Sequence, residues 1–134
     1  MAELIKGAED GSLSFGDYTL AEKTKVKDFS HNGDTYYVKS YAETTKLEKN
    51  GAFLYESEPG TKVCCFEAGT SGVSFTVEGK DDAEITLGLE PEVSYIVKVN
   101  DVEAGNVKTN LGGKLTLSVP TGSGDAVKVS VARD

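Results

Sequence analysis

A two-residue alternation of apolar and polar side chains runs through the second half of this chain. Val73, Phe75 and Val77 follow it, as do Ile85, Leu87 and Leu89, then Leu115, Leu117 and Val119, then Val127, Val129 and Val131. Successive side chains on a strand point to opposite faces, so each run builds one dry face and one wet face. Runs of this kind, joined by Gly, Asp and Asn turns, predict an all-β fold: a two-sheet antiparallel sandwich of Ig-like or jelly-roll character. Ten to twelve short strands are expected, a number that favours two packed sheets over one open sheet. Fourteen Val and twelve Thr agree, because β-branched side chains suit a pleated surface. The expected core is Phe15, Val38, Phe53, Val73, Phe75, Val77, Ile85, Leu87, Val97, Val99, Leu115, Leu117, Val127 and Val129.

Turn chemistry divides the first half. Asn32-Gly33 and Asn50-Gly51 lie between β-rich runs, and both residue types tolerate positive φ, so each predicts a hairpin. Residues 45–49 read as a strand, with a short helix over residues 41–49 as the alternative, since Glu43, Lys46, Leu47, Glu48 and Lys49 are good helix formers. No linker or low-complexity tract splits the chain. Residues 1–10 are expected to form a loose arm, and residues 11–134 a single domain that needs no disulfide or metal to fold at this length.

The formal charge is −8, from 22 acidic and 14 basic side chains. Such a surface repels phosphate backbones and anionic lipid, which argues against nucleic acid and membrane partners. No apolar run reaches the length of a signal peptide or a membrane span, so the sequence as written reads as cytoplasmic, or as secreted if a leader has been removed. Cys64 and Cys65 are neighbours on an expected strand. Their thiols should therefore point to opposite faces, buried or half-buried, in a reducing compartment.

The stretch from Tyr95 to Val119, containing Val97, Val99, Asn100, Asp101, Gly105, Leu111, Gly112 and Leu115, resembles the closing strands of Ig-like or fibronectin-like accessory sandwich domains of bacterial polysaccharide enzymes. Ser14-Phe15-Gly16-Asp17-Tyr18, the run from Thr45 to Gly51, Glu58-Pro59-Gly60 and Lys108-Thr109-Asn110-Leu111 also resemble short bacterial proteins labelled endosialidase. That resemblance implies sialidase chemistry, which the residue content opposes. Sialidases grip the substrate carboxylate with several guanidinium forks, and this chain has one arginine, Arg133. A Tyr55–Glu56 nucleophile pair would place its two members on opposite faces of a strand.

Other chemistry is thin. Glycosidic cleavage needs two carboxyls facing one sugar, and Glu56 with Glu58 share a strand face but no evident cleft. His31, the single histidine, precedes a turn and is expected to be exposed. Calcium takes oxygen ligands from loops, so Asp81, Asp82 and Glu84, or Asp125 in its Gly-rich turn, form a weak candidate site; no other cofactor is implied. Nine of the eleven Phe and Tyr residues lie before position 67. If Tyr37 and Tyr41 share an outer face, they form a platform for a sugar ring or another subunit. The chain is therefore expected to be a non-catalytic binding or assembly module. It would work by sheet-face or edge contact with itself or a protein partner, with carbohydrate binding through Tyr37 and Tyr41 as the alternative and a small glycoside hydrolase behind it.

Overall fold

A computed structural model describes residues 4–7, 11–31, 33–69, 72–123 and 126–133. Along the chain these form β1 (Ile5–Gly7), β2 (Leu13–Phe15), β3 (Thr24–His31), β4 (Asp34–Tyr41), β5 (Thr44–Lys49), β6 (Ala52–Glu58) and β7 (Thr61–Gly69). There follow β8 (Gly72–Gly79), β9 (Ala83–Gly88), β10 (Ser94–Val99), β11 (Val102–Lys108), β12 (Lys114–Val119) and β13 (Val127–Arg133). One sheet has seven strands in the order β1-β2-β7-β8-β13-β10-β11, the other six in the order β12-β9-β6-β5-β4-β3. Every pairing is antiparallel, which makes the molecule a two-sheet sandwich as the alternation predicts. Residues 41–49 are strand and turn rather than helix: Tyr36 to Tyr41 pair in register with Lys49 to Thr44. The hairpins at Asn50-Gly51 (φ 51° and 81°) and Asn100-Asp101 (φ 52° and 66°) hold both turn residues at positive φ, matching the twist of their strands.

The loose arm expected for residues 1–10 is an edge strand over its described part. Ile5, Lys6 and Gly7 pair with Phe15, Ser14 and Leu13, and Leu4 and Ile5 are buried. Two apolar side chains there remove enough surface from water to hold a three-residue strand against the core.

Tyr55 ties the two sheets together. Its ring projects from β6 and meets Phe15, Phe66 and Phe75 edge-on, with centroids 5.2, 6.2 and 5.6 Å away. Those three rings belong to β2, β7 and β8 of the opposite sheet. The Tyr55 hydroxyl reaches Thr61 Oγ1 at 2.7 Å, and Ser57 Oγ lies at the same distance from that atom. Thr45 Oγ1 accepts from the Thr61 N–H and donates to the Thr61 carbonyl, and Ser40 Oγ joins it at 2.7 Å while accepting from the Asp17 N–H. Tyr55, Ser40, Thr45, Ser57 and Thr61 have no solvent exposure. Buried hydroxyls are tolerable only when so paired. A Cβ at Gly16 would strike the Thr61 carbonyl, so that position accepts only glycine.

Most of the expected core is buried, including Phe15, Val38, Val73, Phe75, Val77, Ile85, Leu87, Val97, Leu115, Val127 and Val129. Val99, beside a hairpin turn, and Leu117, on the edge strand β12, are only partly buried against it. Phe53 is not a core residue. The β5–β6 register places Glu48 opposite Phe53 and Leu47 opposite Tyr55, so Leu54 is an inserted bulge residue. That insertion breaks the alternation, sending Tyr55 inward and leaving Phe53 beneath the Lys114 ammonium, 4.9 Å from its centroid.

Two consequences can be measured by urea unfolding. Phe66→Ala should cost about 3–5 kcal/mol, because its ring packs on both Phe15 and Tyr55, whereas Tyr55→Phe should cost about 1 kcal/mol for the lost hydrogen bond. Burial pushes the Tyr55 phenol well above its ordinary value of 10.0, opposed more weakly by its hydrogen bonds to Thr61 and Ser57. The folded state therefore holds that proton more tightly than the unfolded chain. The stability it contributes is complete below pH 10 and is lost as pH rises above it. Tyr55→Phe should make the alkaline decline shallower by up to about 1.4 kcal/mol per pH unit.

Candidate functional site

The outer face of the six-stranded sheet carries a group of charged side chains whose pattern the fold dictates. Because Val38, Ser40, Thr45, Leu47, Tyr55, Ser57, Ile85 and Leu87 point inward, their strand neighbours point out. Across the sheet the register puts Lys25 opposite Lys39, Lys39 opposite Lys46, and Lys46 opposite Glu56. Glu56 in turn lies opposite Thr86, and Thr86 opposite Thr116. Toward one end of this row, Tyr41 lies opposite Thr44, and Glu58 lies directly opposite Glu84. Toward the other end, Tyr37 lies opposite Glu48 and Glu48 opposite Phe53.

The face is thus banded. Its β3–β5 half holds Lys25, Lys39 and Lys46, with Lys23 5.9 Å from the Tyr41 ring centroid. Its β6–β9 half holds Glu56, Glu58 and Glu84, which line a shallow groove of about 170 Å³ with Ser57 and Thr86. Among the described residues the ion pairs are Lys49–Asp34, Lys128–Asp101 and Arg133–Glu90, and none joins the two bands. Like charges directly opposite on a sheet are mutually destabilising. Glu48 on β5 and Lys114 on β12 interrupt the bands, which otherwise leave an excess of positive charge on the β3–β5 half of this face and of negative charge around β6 and β9.

Tyr37 and Tyr41 share this face, as the platform reading requires, and both are half-buried. They flank Lys39, roughly 13 Å apart along the strand. The Tyr41 hydroxyl donates to Glu43 Oε2 at 3.1 Å, and that bond is the main reason the phenol sits above its ordinary value.

The weak calcium site does not assemble. Asp82 Oδ1 accepts from the Gly122 N–H and the Asp81 carbonyl from the Thr121 hydroxyl, while Glu84 stands on the outer face opposite Glu58 and Ser118. Among the described residues no three His, Cys, Asp or Glu side chains are placed to hold a metal ion. The alternative ligand Asp125 lies outside the described residues. His31 is half-buried rather than exposed: its ring covers Gly7, and Nε2 lies 3.3 Å from the Gly11 carbonyl. Tyr55 is fully buried whereas Glu56 lies on the outer face, so the two do not meet a common substrate. Arg133 is ion-paired to Glu90. Glu56 and Glu58 do share a face, with Glu84 beside them, but their groove has no apolar wall to exclude water. Comparisons with protein-family models, curated proteins and solved structures gave no match.

The lysine row was hidden in the sequence because Lys25, Lys39 and Lys46 become neighbours only once the β3–β4 and β4–β5 registers are known. Its cost is measurable: Lys39→Thr should raise the stability of the dilute protein by about 0.5 kcal/mol in urea unfolding, since it removes a cation from between two others.

Proposed function

We propose that this chain is a non-catalytic assembly module whose partner is a second copy of itself, docked through the outer face of the six-stranded sheet. The observation that carries this reading is the banding of Lys23, Lys25, Lys39 and Lys46 against Glu56, Glu58 and Glu84, interrupted only by Glu48 and Lys114 and bridged by none of the ion pairs among the described residues. A two-fold axis parallel to the strands, passing between β5 and β6, lays the basic half of one copy on the acidic half of the other. Contacts of this isologous kind are self-complementary. Tyr37, Tyr41 and Phe53 supply the apolar area between the charges. The resemblance to accessory sandwich domains agrees with a non-catalytic role.

Six strands about 4.8 Å apart and about six residues of 3.3 Å give a face of roughly 600 Å². That is the low end for specific interfaces, so association should be weak and salt-dependent. Light scattering after size exclusion, over a range of concentrations at low salt, should show a monomer–dimer equilibrium that 0.5 M salt abolishes. The paired reversal Lys39→Glu with Lys46→Glu should abolish the dimer, and so should Glu56→Lys with Glu84→Lys. Combining all four restores complementarity and should restore association. A monomer at every concentration contradicts the reading.

A second reading has its own observation, since Lys39 lies between Tyr37 and Tyr41 on the exposed side of β4. Ring faces and ammonium groups together suit an anionic glycan, the rings stacking on sugars and the lysines pairing with carboxylate or sulfate. Under this reading a polyanionic glycan binds saturably, Tyr37→Ala weakens binding at least tenfold, and the Glu56 and Glu84 reversals leave it intact or strengthen it.

A further inference from the structure

The outer face of the other sheet carries an unrelated feature in β7. Val63 pairs with Val77 and Cys64 with Thr76, but Glu67 pairs with Ser74, so Cys65 and Phe66 together oppose the single residue Phe75. On the other side Phe15 pairs with Val63 and Leu13 with Phe66, which sets Ser14 against the two cysteines. The inserted residue is Cys65, at φ 63°. This bulge lets Val63 and Phe66, three positions apart, both reach the core. It also defeats the expected arrangement of the thiols. Cys64 and Cys65 do not point to opposite faces: both are exposed, with their Sγ atoms 2.6 Å apart.

A left-handed backbone is costly for a residue with a Cβ, and glycine is the ordinary occupant of such a bulge. Cysteine there costs stability and gives the surface a second sulfur beside the first. We propose that Cys64 and Cys65 form a two-thiol site for a soft, pyramidal metalloid of the trivalent arsenic class. A disulfide between neighbours is strained, because Cα atoms 3.8 Å apart fall below the usual 4.4–6.8 Å range. One bridging atom enlarges the ring and removes that constraint. Pyramidal trivalent arsenic takes two sulfurs at adjacent corners, which neighbouring residues supply, whereas a linear two-coordinate ion needs them on opposite sides. Soft thiolate donors suit thiophilic ions in general. The reaction with an organic arsenoxide is a condensation: two S–H bonds and the As=O bond break, two As–S bonds form, and one water leaves. No oxidant or reductant is consumed.

The test uses the reduced full chain and phenylarsine oxide. Intact mass should show one aryl-arsenic per chain with loss of one water, retained against excess monothiol and released by a dithiol. Cys64→Ser and Cys65→Ser should each weaken retention at least about 100-fold, the chelate advantage of two tethered donors. Cys65→Gly should lose retention equally while raising the urea midpoint, which separates the site from the fold. Equal retention by either serine variant overturns the proposal. So does one arsenic shared between two chains, or closure of the pair to a disulfide in preference to arsenical uptake.

Discussion

The Tyr55 side chain is the contact on which the arrangement of both sheets depends. Its ring is wedged among Phe15, Phe66 and Phe75 of the opposite sheet, and its hydroxyl reaches the Thr61 side chain where the chain crosses between sheets. Aromatic edge-to-face pairs add about 0.5–1.5 kcal/mol each beyond area burial, and Tyr55 makes three of them across the two sheets. The hydroxyls of Ser40, Thr45, Ser57 and Thr61 complete a buried network in which each oxygen has a hydrogen-bond partner. With Tyr55 and Ser57 facing inward, Glu56 and Glu58 face out. The charge bands on the surface are thus a consequence of the core.

Two bulges re-aim side chains without disturbing that core. Leu54 is inserted opposite the β5 strand, and Phe53 turns outward as a result. Cys65 is inserted opposite β8, and two thiols come to lie together on the other outer face. Bulges concentrate where a strand must present something other than its alternation allows. The two outer faces accordingly differ in chemistry: one is banded in charge, and the other carries sulfur.

The all-β fold was legible in the sequence because period-two runs such as Val73–Val77 and Val127–Val131 build strands with one dry face, and the number of such strands favoured two packed sheets. Asn50-Gly51 was legible as a turn because both residue types tolerate positive φ. The bulges were not read, although Val63 and Phe66 carry a signal: two apolar residues three apart within a strand imply an inserted residue. Phe53 was misplaced for the same reason. The short β1 was missed because a three-residue strand has no period to detect, and its pairing with β2 is decided by Leu4 and Ile5 finding the core. Tyr37 and Tyr41 were placed on a common face by spacing alone. The lysines and glutamates around them needed pairings among strands far apart in sequence, such as β6 with β9, which no local pattern encodes.

We propose that this chain meets a second copy of itself through the banded face of the six-stranded sheet. The most direct measurement is a dilution series of amide NMR spectra at low salt. Docking through that face gives concentration-dependent shifts confined to β3–β6 and β9, centred on Lys39, Lys46, Glu56 and Glu84, and suppressed by salt. Spectra that do not change with concentration, or changes that map to the seven-stranded sheet, would contradict it.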